Sequence, residues 1–486
     1  MIDLVNEQDI ERLRQVALLQ QREIELLHGK LAQLCERVAQ LEGRENSELE
    51  LALDELESQV NKQKPAPPRR DRRKPKTDKT PQTGHGPTAQ PGLELKDEVH
   101  TLDEADSICP SCGGDLQEWP GQFEESELVD VVERKFIVRR IKRQKYRCQC
   151  GACVETAEGP DDRLTSGGRY SLAFTVAVVL AKYLDHLPLE RQVRQMARMG
   201  LRVTSQTLWD QVWRLATLLE PTYLALRTYI LSQSVIGMDQ TGWPKLNQKG
   251  GKPWQMWCLT APDAVFHSIR ESKDTATALD VLGEFTGTIV CDALATHGAA
   301  ARAGPGFRLA HCWAHVYRKF AECEQDFPQA SEILDLIGEL YAIDRLAHEQ
   351  SLDLAVLRAT ESTAVLERAH RWLCDCRALP KSSLGRAVRY TLANWGRLTL
   401  FAKDPEVWLD NNLTERSLRG PVVGRRNHFG SKSKRGTEAA AILYSLVETA
   451  KLIGVDPAAY LELAAKNALA APGTVTLPHD SLSAAE

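Results

Sequence analysis

Nowhere in its 486 residues does this chain hold an apolar run approaching the ~20 residues of a membrane-spanning helix. The N-terminal stretch Met1-Ile-Asp-Leu-Val-Asn-Glu7 is too polar for a secretory leader. Both absences point to a soluble cytoplasmic protein with no membrane partner. They also set aside the oxidising compartment in which cysteines pair, so the twelve cysteines are read as thiols or metal ligands. A positive net charge is missing as well. Lys and Arg number 61 against 66 Asp and Glu, a balance of -5, so the whole molecule lacks the electrostatic footprint of a nucleic-acid binder. The two signs are spread unevenly, and that local asymmetry says more than the sum.

With 43% hydrophobic residues the chain can bury a large core divided among two to four domains. From Ile10 a heptad runs Ile10, Ala17, Ile24, Leu31, Val38 at one seam position and Leu13, Gln20, Leu27, Leu34, Leu41 at the other. A helix apolar along one narrow seam must bury it, so residues 1–61 are expected to form a coiled coil that joins copies of the chain into a homo-oligomer. Residues 62–100 read as a Pro-rich basic linker, with nine Lys/Arg against two acids between Lys62 and Lys79. Such a run is a solvated tether that also suits contact with phosphates.

Within 101–160, Cys109-Pro-Ser-Cys112-Gly forms a tight knuckle, and Cys148-Gln-Cys150-Gly-Ala-Cys153 offers a second. Two knuckles complete a tetrahedral Zn²⁺ site. Cys109, Cys112, Cys150 and Cys153 repeat the spacing best, with Cys148 the alternative ligand. Val131 to Arg147 alternates like a strand and carries Arg139 and Arg140, giving a zinc ribbon with a basic face. Over 165–230 the pattern is helical. A helix ending at Gly200, a short turn and a second helix capped by Thr204 or Ser205 trace a helix-turn-helix outline, which two ordinary packed helices share.

From residue 234 the grammar turns to strands. Ser234 to Met238 is short and apolar and delivers Asp239 at or just past its end. Trp254–Thr260 with Ala264–Arg270 suggests a hairpin, Thr275–Gly283 a helix, Thr288–Cys291 a strand ending at Asp292, and Phe307–His311 a further strand. Acids at the carboxyl ends of strands line the cleft of an open sheet. A short helix beginning at Asp410-Asn411-Asn412 carries Glu415 and runs into a loop dense in Arg and Lys. Three carboxylates on rigid elements suit two Mg²⁺ ions that act on the attacking and leaving oxygens of a phosphoryl group. Any one of these acids alone is better read as structural.

The chain resembles transposases of the insertion-sequence-66 family. The resemblance lies in Lys182-Tyr-Leu-Asp-His-Leu-Pro-Leu-Glu-Arg-Gln192, Asp239-x-Thr-Gly-Trp243, His311-Cys-Trp-Ala-His-Val-Tyr-Arg-Lys-Phe320 and Asp410-Asn-Asn-Leu-Thr-Glu-Arg-Ser-Leu-Arg419. Gly424-Arg-Arg-Asn-His-Phe-Gly-Ser431 extends it. It implies a multidomain α/β protein. An RNase H-like mixed-sheet catalytic core over 231–436, with a helical insertion at about 312–405, follows the coiled coil, zinc ribbon and helical DNA-binding domain. It also implies Asp239, Asp292 and Glu415 as a triad for Mg²⁺ or Mn²⁺, with cleavage of element ends and joining of the 3′-hydroxyl to target DNA. Bacterial, nucleoid-associated localisation and small accessory proteins of the same element belong to the same implication. The sequence departs from the family at Gln240, where Glu is common, and after Asp292, where Ala-Leu-Ala-Thr-His-Gly replaces a Gly-Tyr type of sequence.

Arg425, Arg426, Lys432, Lys434 and Arg435 are candidate phosphate contacts in a Gly/Ser-interrupted loop, with Arg419, Arg139 and Arg140 beside them. His311 and His315 stand as a possible ligand pair or a packed pair, Cys312 as a core thiol and Trp243 as a core aromatic. Helices are expected over 437–466 and a disordered tail over 467–486. A non-catalytic DNA-binding regulator and an RNase H-like nuclease that never joins are the competing functions.

Overall fold

The computed structural model describes residues 135–147, 154–159, 162–165, 168–246 and 254–482. The coiled coil, the linker and Cys109, Cys112, Cys148, Cys150 and Cys153 lie outside the described residues. Contacts divide the chain into units Met1–Glu127 and Leu128–Glu486, and the described residues all belong to the second.

The expected long basic strand shrinks to a short ladder. β1 (Lys145–Arg147) pairs antiparallel with β2 (Val154–Thr156), while 135–144 has no regular structure. Phe136 packs against the core, but Ile137 and Val138 face solvent, so little apolar burial favours a longer strand here.

Four helices follow: α1 (Leu172–Tyr183), α2 (Leu189–Arg198), α3 (Ser205–Leu218) and α4 (Glu220–Leu231). Gly200 takes the left-handed turn at φ +82°, and the Thr204 hydroxyl accepts the Thr207 N–H to cap α3. Helix, glycine turn and capped helix thus occur in the expected order, an arrangement that ordinary packed helices share. The helices do not form a body of their own, because Val179, Leu208, Leu215 and Leu226 share one continuous core with the sheet.

That sheet has order β5-β4-β3-β6-β7. β3 (Val235–Trp243), β4 (Trp254–Ala261) and β5 (Ala264–Arg270) form an antiparallel meander, and β6 (Thr288–Cys291) and β7 (Arg308–His311) run parallel to β3. Between them lie α5 (Thr275–Leu282) and α6 (Ala295–Ala303). After β7 the chain is helical through α7 (Trp313–Ala321), α8 (Ala330–Glu349), α9 (Leu354–Leu357), α10 (Thr363–Asp375), α11 (Ser383–Ala393) and α12 (Trp395–Leu398). This segment packs a second core around Trp313, Phe320, Ile337 and Phe401, where the helical insertion was expected.

The chain then returns to the sheet in α13 (Asn412–His428), α14 (Lys434–Leu452) and α15 (Pro457–Ala470). Residues 439–450 of α14 are all buried, Ser445, Glu448 and Thr449 among them, as befits a central helix. Two of its hydroxyls face β5. Ser445 Oγ accepts the His267 N–H at 2.8 Å, and Thr449 Oγ1 accepts the Val265 N–H and donates to the Val265 carbonyl, both at 3.0 Å. The outer strand therefore has backbone partners from a helix instead of an exposed edge.

Residues 471–482, expected as part of a disordered tail, are packed. The Tyr460 hydroxyl donates to the Thr476 carbonyl at 3.0 Å, and His479 reaches the Asp263 carbonyl at 3.1 Å. Thr476 and Pro478 are buried there, while Ala471, Pro472 and Gly473 stay exposed.

Candidate active site

β3 occupies the point where the sheet changes direction. Its parallel pairing with β6 runs Val235↔Thr288, Ile236↔Ile289, Gly237↔Val290 and stops there. Its antiparallel pairing with β4 continues to Trp243, with Asp239 opposite Cys258. The expected short strand ending at Asp239 is thus nine residues long, and Asp239 lies in its middle. The acid still emerges where the β6 side of the ladder has ended. Asp292 follows the last residue of β6. Both carboxylates therefore leave neighbouring parallel strands at the switch point of an open sheet, the usual location of a site in such sheets.

Glu415 is brought to them by a seat built on a missing side chain. A Cβ on Gly237 would collide with the Thr414 hydroxyl and lie 2.5 Å from Thr260 Oγ1 and 2.9 Å from Asn411 Oδ1. In the space glycine leaves, Asn411 Nδ2 donates to the Met238 carbonyl at 3.0 Å and Thr414 donates to Asn411 Oδ1 at 2.6 Å. Thr414 and Thr260 share a further bond of 2.7 Å. α13 is thereby locked onto β3 one residue from Asp239, with Glu415 in its first turn. The helix is 17 residues long, and it continues through Arg425 and Arg426 to His428. The expected short helix thus takes in the first part of the Arg-rich stretch, Gly420 and Gly424 letting it lie close to Glu448 and Tyr444 of α14, while Lys432 stays in the connection and Lys434 and Arg435 open α14.

The electrostatics tie the three acids together. Burial raises the Asp239 carboxyl to about 6; the Gln240 N–H at 2.7 Å opposes this, and the charges of Asp292 and Glu415 add to it. For Asp292 burial also pushes upward, but the hydrogen bond and charge of His297 and the charge of His315 outweigh it, and its carboxyl titrates below the ordinary value. Glu415 receives both of its hydrogen bonds from Arg318 Nη2, at 2.7 and 2.9 Å, and His315 Nε2 lies 3.6 Å away. Among the described residues, Cys312, His315 and Glu415 are the group whose ligand atoms lie within 4.8 Å of one another. His311 does not join it. Buried, it is held down to about 4 by burial and by Arg397, so it packs beside the site instead of pairing with His315. His297 and Arg318 carry no site role in the sequence reading, and His315 enters it only as half of a ligand or packed pair with His311. The available signals are a histidine five residues after Asp292 and the cationic turn following Cys312.

Residues 167–439 match the model of the Transposase IS66 family, more than half of the chain. The chain belongs to this family. Residues 106–151 match the zinc-finger binding domain of transposase IS66, which supports a structural zinc. That match takes in Cys109, Cys112, Cys148 and Cys150 and ends before Cys153. Three proteins of Sinorhizobium fredii are similar along most of their length. Uncharacterized protein y4jD is 33% identical over 376 residues, 73% of each chain. Uncharacterized protein y4hP is 26% identical over 406 residues, 77% of this chain and 73% of the relative. Uncharacterized protein y4qI is 27% identical over 442 residues, covering 85% and 78%.

In this IS66-family chain the basic residues near Glu415 divide into two kinds. Arg425 turns inward, donating to Thr241 Oγ1 at 3.0 Å and to the Gly242 carbonyl, so its guanidinium fastens α13 to β3. Arg419 and Arg426 are exposed and lie four and eleven residues beyond Glu415 (419 − 415 = 4; 426 − 415 = 11), the spacing of one helix face. Lys432 is exposed, Lys434 lies 3.9 Å from Glu438, and the Arg435 guanidinium sits over the Trp213 ring of α3. Arg139 pairs with Asp162, and Arg140 is exposed. Trp243 is fully buried and donates to Ser431 Oγ at 3.0 Å, a core aromatic as expected.

Proposed function

We propose that this chain is a DNA transposase that cleaves the ends of an insertion sequence and joins the freed 3′-hydroxyl to target DNA, with Asp239, Asp292 and Glu415 as ligands of two divalent ions. The observation that supports the reading is that Asp239 in β3, Asp292 after β6 and Glu415 in α13 lie near enough for the charges of the last two to raise the first, although their carboxylate oxygens do not all lie within 4.8 Å of one another. The strand order, with an antiparallel meander followed by two parallel strands, supports an RNase H-like core.

The residues fit Mg²⁺ or Mn²⁺. All three donors are hard carboxylate oxygens, and Asp239 is pushed up by burial and two like charges, a cost that a cation would relieve. Bound ions would supply charge stabilisation at the attacking and leaving oxygens of an in-line phosphoryl transfer. Arg318 balances the charge of Glu415. The exposed face with Arg419 and Arg426 gives the DNA backbone a track leading to that acid. α2 and α3, with exposed Arg194, Arg198 and Arg202 around the Gly200 turn, support a second contact with element ends. Assembly through the 1–61 coil and small accessory proteins of the same element belong to the same proposal.

The test is a labelled element end incubated with Mg²⁺. Asp239→Asn and Glu415→Gln should each abolish cleavage and joining while the gel-shift affinity stays within a few-fold of wild type. Retained cleavage by both variants would overturn the triad. A pre-cut 3′ end separates joining from hydrolysis alone.

A further inference from the structure

The three acids are held in place by unequal means. Asp239 sits in a strand whose β4 ladder continues past it, and Glu415 sits in a helix seated on Gly237. Asp292 is different: residues 292–294 belong to neither strand nor helix. A carboxylate on such a short connection swings with its backbone unless a neighbour fixes it, and a metal site loosened by about an ångström loses much of its affinity.

His297, in the first turn of α6, is that neighbour. Its side chain is buried, and Nδ1 lies 3.2 Å from Asp292 Oδ1 and 3.3 Å from the Asp292 carbonyl oxygen. The hydrogen bond of this nitrogen goes to the main-chain carbonyl, and Asp292 Oδ1, 3.2 Å away, has no hydrogen-bond partner among the described residues. Among the described residues Nε2 has no hydrogen-bond partner, and Nδ1 is the ring nitrogen that meets Asp292, with the Cys291 side chain also acting on the ring. Both protonation states that place a hydrogen on Nδ1 make the same contact, so the geometry does not depend on the charge of the ring. A histidine buried only to fill space would have no reason to aim its sole partnered nitrogen at a candidate metal ligand.

We propose that His297 is a positioning residue for Asp292: its Nδ1–H holds the Asp292 main-chain carbonyl and so fixes the 292–294 connection, with the carboxylate 3.2 Å from the same nitrogen, in the arrangement that receives a divalent ion. The proposal rests on the catalytic reading of Asp292 given above. Outer partners of metal-binding side chains typically change metal affinity or activity by about 10–100-fold when removed.

The experiment is a Mg²⁺ titration of end cleavage by the full-length protein, with His297→Ala, His297→Asn, His297→Gln and Asp292→Asn. His297→Ala should raise the half-saturating Mg²⁺ concentration about tenfold or more, with the rate at saturating Mg²⁺ largely recovered. Asparagine places its amide N–H where Nδ1 stands and should restore most of the wild-type response. Glutamine reaches toward the Nε2 position and should not. A merely structural histidine would lower the melting temperature in all three variants without separating Asn from Gln. If His297→Ala shows no folded melting transition, the Asn–Gln contrast decides, and equal Mg²⁺ responses overturn the proposal. A wild-type Mg²⁺ response in His297→Ala beside an inactive Asp292→Asn overturns the positioning role alone. An active Asp292→Asn overturns the catalytic reading and the proposal with it.

Discussion

Arg318 of α7 donates to both carboxylate oxygens of Glu415 from a single nitrogen, binding the helical insertion to the third acid. The guanidinium occupies the oxygens that a divalent ion would need. About half of the Arg318 side chain is exposed, so screening limits the strength of the pair. Arg318→Gln should therefore lower the half-saturating Mg²⁺ concentration for cleavage, by up to roughly fivefold for a pair worth about 1 kcal/mol or less. A Mg²⁺ titration of the variant checks the sign. A higher requirement would show that Arg318 orients Glu415 for the ion and does not compete with it.

Gly237 is where the third acid meets the first. An alanine there forces apart Thr414, Thr260 and Asn411, groups that hydrogen-bond to one another and to Met238. Overpacking of this kind costs about 1–3 kcal/mol. Gly237→Ala should lower the melting temperature by several degrees and reduce cleavage well beyond the loss of folded protein, because α13 moves away from Asp239. Wild-type activity in a folded Gly237→Ala protein would show that the seat does not set the position of Glu415.

His267 of β5 is fully buried, and among the described residues neither ring nitrogen has a partner. Burial pulls its pKa to about 3, well below the ordinary 6.5 of an exposed histidine. Between those values the unfolded chain takes up a proton that the folded one refuses, so stability rises with pH across this window and falls on acidification. The slope from this group approaches 1.4 kcal/mol per pH unit, or about 2 kcal/mol between neutrality and pH 5. His267→Leu, which keeps the bulk without the ring nitrogens, should flatten the dependence in denaturant titrations at pH 5 and 7. An unchanged difference between the two pH values would place the acid sensitivity elsewhere.

The parts of the fold that sequence revealed were those set by local pattern. Alternation and apolar runs marked β4, β5, β6 and β7, and Thr204 and Gly200 marked the α2–α3 turn. Hidden from it were features that depend on a partner distant in the chain. β3 reads as ending at Met238 because its second half is polar, yet Trp243 closes it by bonding to Ser431. Arg425 reads as a loop cation, while it is a helix residue pinned to Gly242. Asp239 and Asp292 stood out by position at strand ends, and Glu415 by the Arg- and Lys-rich stretch that follows it. The residues that steady them, His297, Arg318 and Asn411, have ordinary local contexts and acquire meaning only from contacts across the sheet.

The two adjacent arginines Arg425 and Arg426 make that difference measurable. Arg425 has its guanidinium on β3, whereas Arg426 is exposed on the face that carries Arg419. Removing Arg425 leaves the Gly242 carbonyl without this donor and loosens α13, so Arg425→Ala should lower the melting temperature, by about 1–3 kcal/mol of stability. Arg426→Ala should leave melting unchanged and weaken DNA binding to all sequences alike. Each lost phosphate contact reduces the slope of log affinity against log salt by about 1. Gel-shift titrations at several salt concentrations, run beside thermal melts, separate the two. A reduced salt slope in Arg425→Ala with normal melting would instead put Arg425 on the DNA.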